Sequence, residues 1–518
     1  MTYSFWGLGT NGIQGTAEGR TGGYQSNNGA PVRSFLNVPS DIRTTTNAAL
    51  SNISKFTNLT FQQVNDTGFT YSTNSSTSQR GRIRIMVDGL GTREGSSHGP
   101  AGGSSTMGGE TFFRPWPAGT TDTSDPRKDT WLQAGATFVA PTNYLNEIIL
   151  HELQHSLGLG HGHDGGSQVR GVATEHSPES DNVWNTAQSY NGPLGWIGNQ
   201  STMVATSMPD DIASLQSIYG ARAFNNGANN YTFRRGDLYL SSSGQQLLDT
   251  RIVEARIANV NTLDDSGGMD NIDCSDVNSL FANEGVRIDM RPGGYVISKN
   301  DWDNPLTYTD NNGIQRGTLV TGIPQKGTRL SWRTTIENCQ GTEFGSDTII
   351  GNSVNNWIAG YGGNDFLQGL DGGDTLIGGY GSDQFFGGTG SDLIYLGGGD
   401  GGTDTDKDYV DFSSANDSPA SANGFDKIYG FGNNDVFDLN DIDGNTRSSG
   451  RQSLSFIGSR DFSGRAGELR LASASGAGTR GFIEADTNAD RRADFRVALT
   501  GESTLATTLT ANNFILTY

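Results

Sequence analysis

From residue 342 to residue 395 the chain repeats every nine residues, and no other feature of its 518 residues narrows the fold so far. The units read TEFGSDTII, GNSVNNWIA, GYGGNDFLQ, GLDGGDTLI, GGYGSDQFF and GGTGSDLIY. They follow the template G-G-x-G-x-D-x-U-x, with U a large apolar residue, which is the calcium-binding β-helix repeat. The glycine-rich half of each unit makes a tight turn, whose carbonyls and Asp carboxylate offer the oxygen ligands that calcium prefers. The last three residues form a short strand with U pointing inward: Ile349, Ile358, Leu367, Leu376, Phe385 and Ile394. The repeated carboxylates are Asp347, Asp365, Asp374, Asp383 and Asp392. The second unit has Asn356 there and Val354 at the usual glycine, which weakens any cation site it shares. A flexible Gly-rich linker is the competing reading. It fails because a linker needs no apolar residue at every ninth position.

The second constraint is HELQHSLGLGHGH, 151–163, which holds four of the chain's six histidines. Residues i and i+4 share one face of a helix, so His151 and His155 point at one ion. The preceding Leu145, Ile148, Ile149 and Leu153 fall at helical intervals, as in a buried helix. Gly158 sits where that helix stops, since glycine accepts the left-handed turn that brings His161 round as a third ligand. Three neutral nitrogens and one open position describe catalytic zinc, whereas structural zinc is usually closed by four protein ligands. Glu152 projects to another side of the metal, where it takes a proton from water and returns it to a leaving amine. Two surface histidines on a helix are the alternative. HExxH alone recurs by chance, and the added xxGxxH reduces that chance sharply. His163 reads as solvent-exposed or supporting rather than as a ligand.

Composition bounds the rest. A chain of this length holds two or more domains with proper cores. A net charge of −21 and a pI near 4.6 argue against binding nucleic acid through its phosphates. No run of eighteen apolar residues predicts a membrane span, and the opening MTYSFWGLGT lacks the features of a conventional signal peptide. Cys274 and Cys339, the only cysteines, form one bridge or stay free and buried.

A long HExxHxxGxxH motif followed by glycine-rich nonapeptides resembles the serralysins, secreted zinc endopeptidases of the calcium-roll type. Looser likenesses run along nearly the whole chain. TYSF resembles their first strand, PDDIASLQSIYGAR (209–222) the helix closing the catalytic domain, and LDDSGGMDNIDCS (263–275) the start of the C-terminal domain. TTIENCQGTEFGSD (334–347) resembles the entry into the roll, and GELRLAS with FIEADTNADRRADFRVAL and NNFILTY the region after it and the C-terminal export signal.

The resemblance implies an α/β (α+β) metzincin zinc-protease domain over 1–222, with a twisted sheet and two long helices, one near 39–56. An all-β domain with a calcium-binding parallel β-roll then fills 223–518, with the roll at 342–395 and antiparallel strands after about 400. His151, His155 and His161 are implied as ligands of one zinc, Glu152 as the base, and Met203 as the Met-turn methionine, with Met208 the runner-up. Several structural calcium ions are implied. Their ligands ahead of the roll are Arg234, Gly236, Asp265, Gly267, Gly268, Asp270, Thr335 and Glu337. Within the roll they are Gly345, Asp347, Gly363, Asp365, Gly372, Asp374, Gly379, Gly381, Asp383, Gly388, Gly390 and Asp392. Implied too are protein or peptide substrates, a proteinaceous inhibitor, a monomeric state, and export by type I machinery without an N-terminal signal.

The chain departs from the family at Ala205, where a tyrosine normally stands two residues after the Met-turn methionine. Tyr190, Trp184, Trp196, His163 and His176 lie in the long insert and could stand in for it, and nothing in the spacing picks one out. A rival reading is a secreted calcium-roll binding or adhesion protein whose zinc domain no longer cleaves. A pore-forming toxin lacks the apolar insertion segment it would need.

Overall fold

The protein is described by a computed structural model that covers residues 1–5, 35–36, 38, 40–64, 82–88, 95–97, 110–113, 142–160, 185–188, 203–204, 206–234, 239–240, 259–275, 277, 285–299, 307–309, 315–318, 327–398, 406–421, 424–474, 478–501, 503 and 508–517. His161, His163, His176, Trp184, Tyr190, Trp196, Ala205 and Gly236 lie outside the described residues. The chain divides into two compact units. Unit 1 is Met1–Phe224, Leu247–Asp264 and Pro305–Trp332; unit 2 is Asn225–Gln246, Asp265–Asn304 and Arg333–Tyr518.

Unit 1 contains a sheet whose strands run in the order Gln62–Gln63, Thr2–Phe5, Arg82–Asp88, Glu110–Phe113 and Gly95–Ser97. The first four pair parallel and the last antiparallel. Phe5, Ile83 and Ile85 are buried, the last two alternating with strand period two. Helix α1 spans Ser40–Phe56 and buries Ile42, Ala49, Leu50, Ile53 and Phe56, which recur at three- and four-residue steps. Burying each of the larger side chains contributes roughly 1.5–3 kcal/mol. Helix α2 spans Thr142–Ser156 and packs against α1 and against strand Met203–Val204. That strand pairs parallel with Asn259–Leu263, which pairs parallel with Gly327–Leu330. Helix α3, Pro209–Tyr219, opens on a proline, whose missing N–H costs nothing at a helix start.

Unit 2 is built on two ladders of parallel strands. One runs Val286–Asp289, Thr348–Ile350, Phe366–Asp371, Gln384–Thr389, Tyr409–Asp411, Val436–Asp438 and Phe514–Ile515. The other runs Asn230–Arg234, Asn271–Asp273, Asn338–Gln340, Trp357–Gly362, Thr375–Tyr380, Leu393–Tyr395, Asp426–Tyr429 and Phe495–Thr500. Consecutive nonapeptides alternate between the ladders, so Ile349, Leu367 and Phe385 stack in one and Ile358, Leu376 and Ile394 in the other. All six are fully buried, as the repeat predicts.

The roll outruns the repeat. Val410 and Phe437 continue the first stack and Ile428 the second, in parallel register. After residue 400, where antiparallel strands are expected, the strands at 409–438 pair parallel, and Glu468–Ala472, Thr479–Asp486 and Phe495–Thr500 pair antiparallel. A rung needs only an inward apolar residue and a turn carboxylate, and the loop between rungs is free to lengthen. Of the two readings of the cysteines, the structure has Cys274 and Cys339 free and buried. Among the described residues no helix is long and apolar enough to cross a membrane.

Candidate metal centre

Helix α2 delivers His151 and Glu152, both buried, and His155, half-buried. The helix ends one residue after His155. Leu159 N then donates to Gln154 O at 3.1 Å, and Gly158 takes the left-handed φ of +104° that the turn requires. That turn aims the Leu159 carbonyl at Nδ1 of His155, 2.7 Å away. The Nδ1 of His151 lies 2.8 Å from the carbonyl of Ala187, 36 residues on. A carbonyl only accepts, so both rings carry their hydrogen on Nδ1. Their Nε2 atoms face each other at 3.0 Å, with the rings edge-on at 87°. As neutral rings, the form in which histidine ligates a metal, they would turn lone pairs toward one another. A shared cation satisfies that geometry, and the tautomers fit a metal ligated through both Nε2 atoms. Met203 lies on the strand beside α2, while Met208 is buried at the N-cap of α3, its sulfur 3.5 Å from Thr262 Oγ1.

Residues beyond the motif hold this arrangement. Gln188 Nε2 donates to His151 O at 3.0 Å and to Gln154 Oε1 at 2.9 Å, and Gln154 Nε2 donates to Ser207 Oγ at 3.0 Å. Tyr219 at the end of α3 donates to Leu157 O at 2.8 Å. Gln154, Thr186, Ala187, Gln188 and Asp211 carry no motif that marks them in the sequence. For Asp211 there is only a local signal, an acid at the third position of a helix opened by proline.

In unit 2 the aspartates of the turns form two ladders of their own. Asp347 N donates to Asp365 Oδ1 at 2.7 Å and Asp365 N to Asp383 Oδ1 at 2.8 Å, each eighteen residues on. Asp374 N donates to Asp392 Oδ1 at 2.8 Å and Asp392 N to Asp426 Oδ1 at 2.9 Å. The ladder therefore includes Asp426, and by the same bonding Asp408 and Asp435, beyond the nonapeptides. The other oxygens of Asp365, Asp374, Asp392 and Asp426 are buried and accept no hydrogen bond. Burial first, and for Asp374, Asp392 and Asp426 neighbouring carboxylates too, pushes Asp365, Asp374 and Asp392 up to about 7 and Asp426 up to about 9. Such inward oxygens suit hard cations. A Cβ at Gly369 would stand 2.2 Å from Asp374 Oδ2, so glycine there makes room for the carboxylate. Asn356 takes the aspartate's place in the second unit, and its Nδ2 donates to the carbonyls of Ile336 and Glu337, both at 3.2 Å. A donor thus fills the position where the other turns present an oxygen.

Ahead of the roll the structure brings together Asp265, Asp270 and Glu337. Asp270 N donates to Glu337 Oε2 at 2.8 Å, Tyr231 Oη donates to Asp265, and Asn229 N donates to Asp270 Oδ1 at 2.8 Å. Asp270 Oδ2 is buried with no hydrogen bond. Burial pushes Asp265 up to about 7, with the Asp270 charge adding to it. Gly267 and Gly268 have φ of +130° and +153°, and a Cβ on Gly268 would meet the Gly227 carbonyl at 2.3 Å. Thr335 lies in the same segment as Glu337, and Arg234 ends strand Asn230–Arg234. Among the described residues no three His, Cys, Asp or Glu side chains form one metal-holding group. The third histidine of α2's motif is outside the described residues.

Residues 328–511 match the family model described as Peptidase M10 serralysin C terminal. A Serralysin of Proteus mirabilis is 28% identical over 228 residues, which cover 43% of this chain and 39% of that protein. Among solved structures, the AlgE6R3 subunit of the Azotobacter vinelandii mannuronan C5-epimerase is 26% identical and covers 33% of this chain and 79% of its own. Its TM-score of 0.15 is too low to equate the folds. The family match lies wholly C-terminal to the histidine helix, so what the comparisons establish is a serralysin-like C-terminal region.

Proposed function

We propose that the protein is a secreted zinc-dependent endopeptidase whose C-terminal roll is held together by calcium. The observation that carries this reading is the pair of Nε2 atoms of His151 and His155, facing at 3.0 Å with both Nδ1 atoms committed to carbonyls. His151, His155 and His161 would hold the zinc, and Met203 would lie on the strand beneath it. Zinc there supplies a Lewis acid that acidifies water and draws charge from the scissile carbonyl. Ala187 and Leu159 fix the tautomer of the two described ligands. Glu152, buried beside His151, takes the proton of the attacking water and returns it to the departing amine. Ala205 supplies no hydroxyl where a serralysin has its tyrosine, which removes one oxyanion donor, a loss on the order of 3–4 kcal/mol where such donors are measured. Slow turnover is the expected outcome.

The aspartate ladders and the Asp265–Asp270–Glu337 group would hold several calcium ions. Extracellular calcium modules bind at roughly 10⁻⁴–10⁻³ M, so the roll would stay unfilled in the cytosol and fold after type I export. Substrates would be extracellular proteins, met by a monomer. Ala205 favours a second reading, a secreted binding protein with an inactive zinc domain.

The deciding test is hydrolysis of quenched fluorescent casein in calcium, with and without a zinc chelator. Turnover abolished by the chelator, restored by zinc and absent in Glu152→Gln supports the endopeptidase. A zinc-loaded protein without turnover supports the binding protein.

A further inference from the structure

We propose that Asp211 is the positioning carboxylate of His151, acting through a hydroxyl and a peptide group, in place of a carboxylate bonded to the ring itself. The path is continuous. His151 Nδ1 donates to Ala187 O at 2.8 Å. The N–H in that same peptide plane, that of Gln188, donates to Thr186 Oγ1 at 3.0 Å. Thr186 Oγ1 in turn donates to Asp211 Oδ1 at 2.6 Å. Asp211 Oδ2 accepts from Ala187 N at 2.8 Å and from Met208 N at 2.9 Å, so the carboxylate grips both sides of the segment and the start of its own helix.

Every hydrogen bond in the path points the same way, from the imidazole toward the carboxylate. Such chains polarise one another, and the negative end then raises the basicity of the far nitrogen. Metal-ligating histidines commonly donate to a carboxylate or a carbonyl; here a carbonyl is backed by a carboxylate two bonds further on. The path is dry: Thr186, Ala187, Gln188 and Asp211 are all at most 4% exposed. Burial pushes the Asp211 carboxyl up to about 6, opposed by its three hydrogen bonds, which leaves it mainly ionised at neutral pH. Asp211 also caps α3, so loss of stability alone would not distinguish the two roles.

The inference rests on the zinc reading, and the test separates them. Full-length wild type, Asp211→Asn, Thr186→Val and Thr186→Ser are compared in calcium. The readouts are zinc dissociation constant by chelator competition, the absorption spectrum with cobalt in place of zinc, and melting temperature. Thr186→Val keeps the side-chain shape and cuts the path, and Thr186→Ser restores it. The expected result is zinc binding weakened about 10- to 100-fold in Thr186→Val and Asp211→Asn, with a shifted cobalt spectrum, and affinity restored in Thr186→Ser. If Asp211→Asn does not fold, the two Thr186 variants decide the matter. Wild-type affinity and spectrum in a folded Thr186→Val, or equal losses in Val and Ser, overturn the path. A wild type that takes up no zinc overturns the metal reading and this inference together.

Discussion

His155 is held by the turn that ends its own helix, and Gly158 is the residue that permits the turn. An L-residue at φ +104° costs on the order of 1–3 kcal/mol, and relief of that strain moves the Leu159 carbonyl off Nδ1. Gly158→Ala is therefore expected to lower the melting temperature by a few degrees and to weaken zinc binding, read by thermal scans and chelator competition. An unchanged zinc affinity would show that the turn does not orient the ring. Asp211 carries a pH signature of its own. Its folded pKa of about 6 lies above the usual carboxylate value, through burial first. A group so raised stabilises the fold fully below its unfolded pKa and loses that contribution as pH rises through the folded one. Relative to Asp211→Asn, the wild type should lose stability between about pH 4 and pH 6, measured by urea unfolding; a flat difference would place the carboxyl at its ordinary pKa. The helix positions of His151, His155 and Glu152 and the turn at Gly158 are legible because their spacing is local. Ala187 is not, since a main-chain acceptor 36 residues away leaves no side-chain signature.

The strands of the roll are too short to stand alone, and their stability comes from stacked side chains and the turns. Phe385 lies fully buried between Leu367 and Val410, so Phe385→Ala should cost about 3–5 kcal/mol, less if neighbours collapse into the gap. Asp392 accepts from Asp374 N with one oxygen and presents the other inward. Asp392→Asn can keep the first role and loses the charge of the second. Calcium titration followed by circular dichroism should show a weaker midpoint for Asp392→Asn than for wild type, whereas identical midpoints would mean no ion meets that oxygen. The period of nine exposed both stacks from sequence alone. It could not expose the rungs at 409–438, because the aspartate spacing grows from 18 residues to 25, 34 and 27 as loops intervene. Asn356 was legible as a departure, but its reach to the Ile336 and Glu337 carbonyls was not.

Across the whole molecule the chain passes repeatedly between the two units, and two segments beyond residue 222, Leu247–Asp264 and Pro305–Trp332, group with unit 1. No composition shift marks these crossings, which is why they were not legible. One such crossing is the peptide bond between Asp264 and Asp265. Strand Asn259–Leu263 pairs with Met203–Val204, the strand alongside the histidine helix. Two residues after that strand comes Asp265, a member of the acidic group with Asp270 and Glu337. An ion bound there stabilises its surroundings by mass action, by about 2.7 kcal/mol at a hundredfold excess over Kd. Without such an ion, the chain two residues beyond that strand would lose that tether. Chelating calcium selectively, with free zinc buffered constant, should therefore lower casein hydrolysis even though the histidines hold no calcium. Asp265→Asn should need more calcium for half-maximal activity than wild type, with the same activity at saturation. Full hydrolysis by a calcium-free protein whose roll has lost its circular dichroism signal would show that the strand stays anchored without the ion.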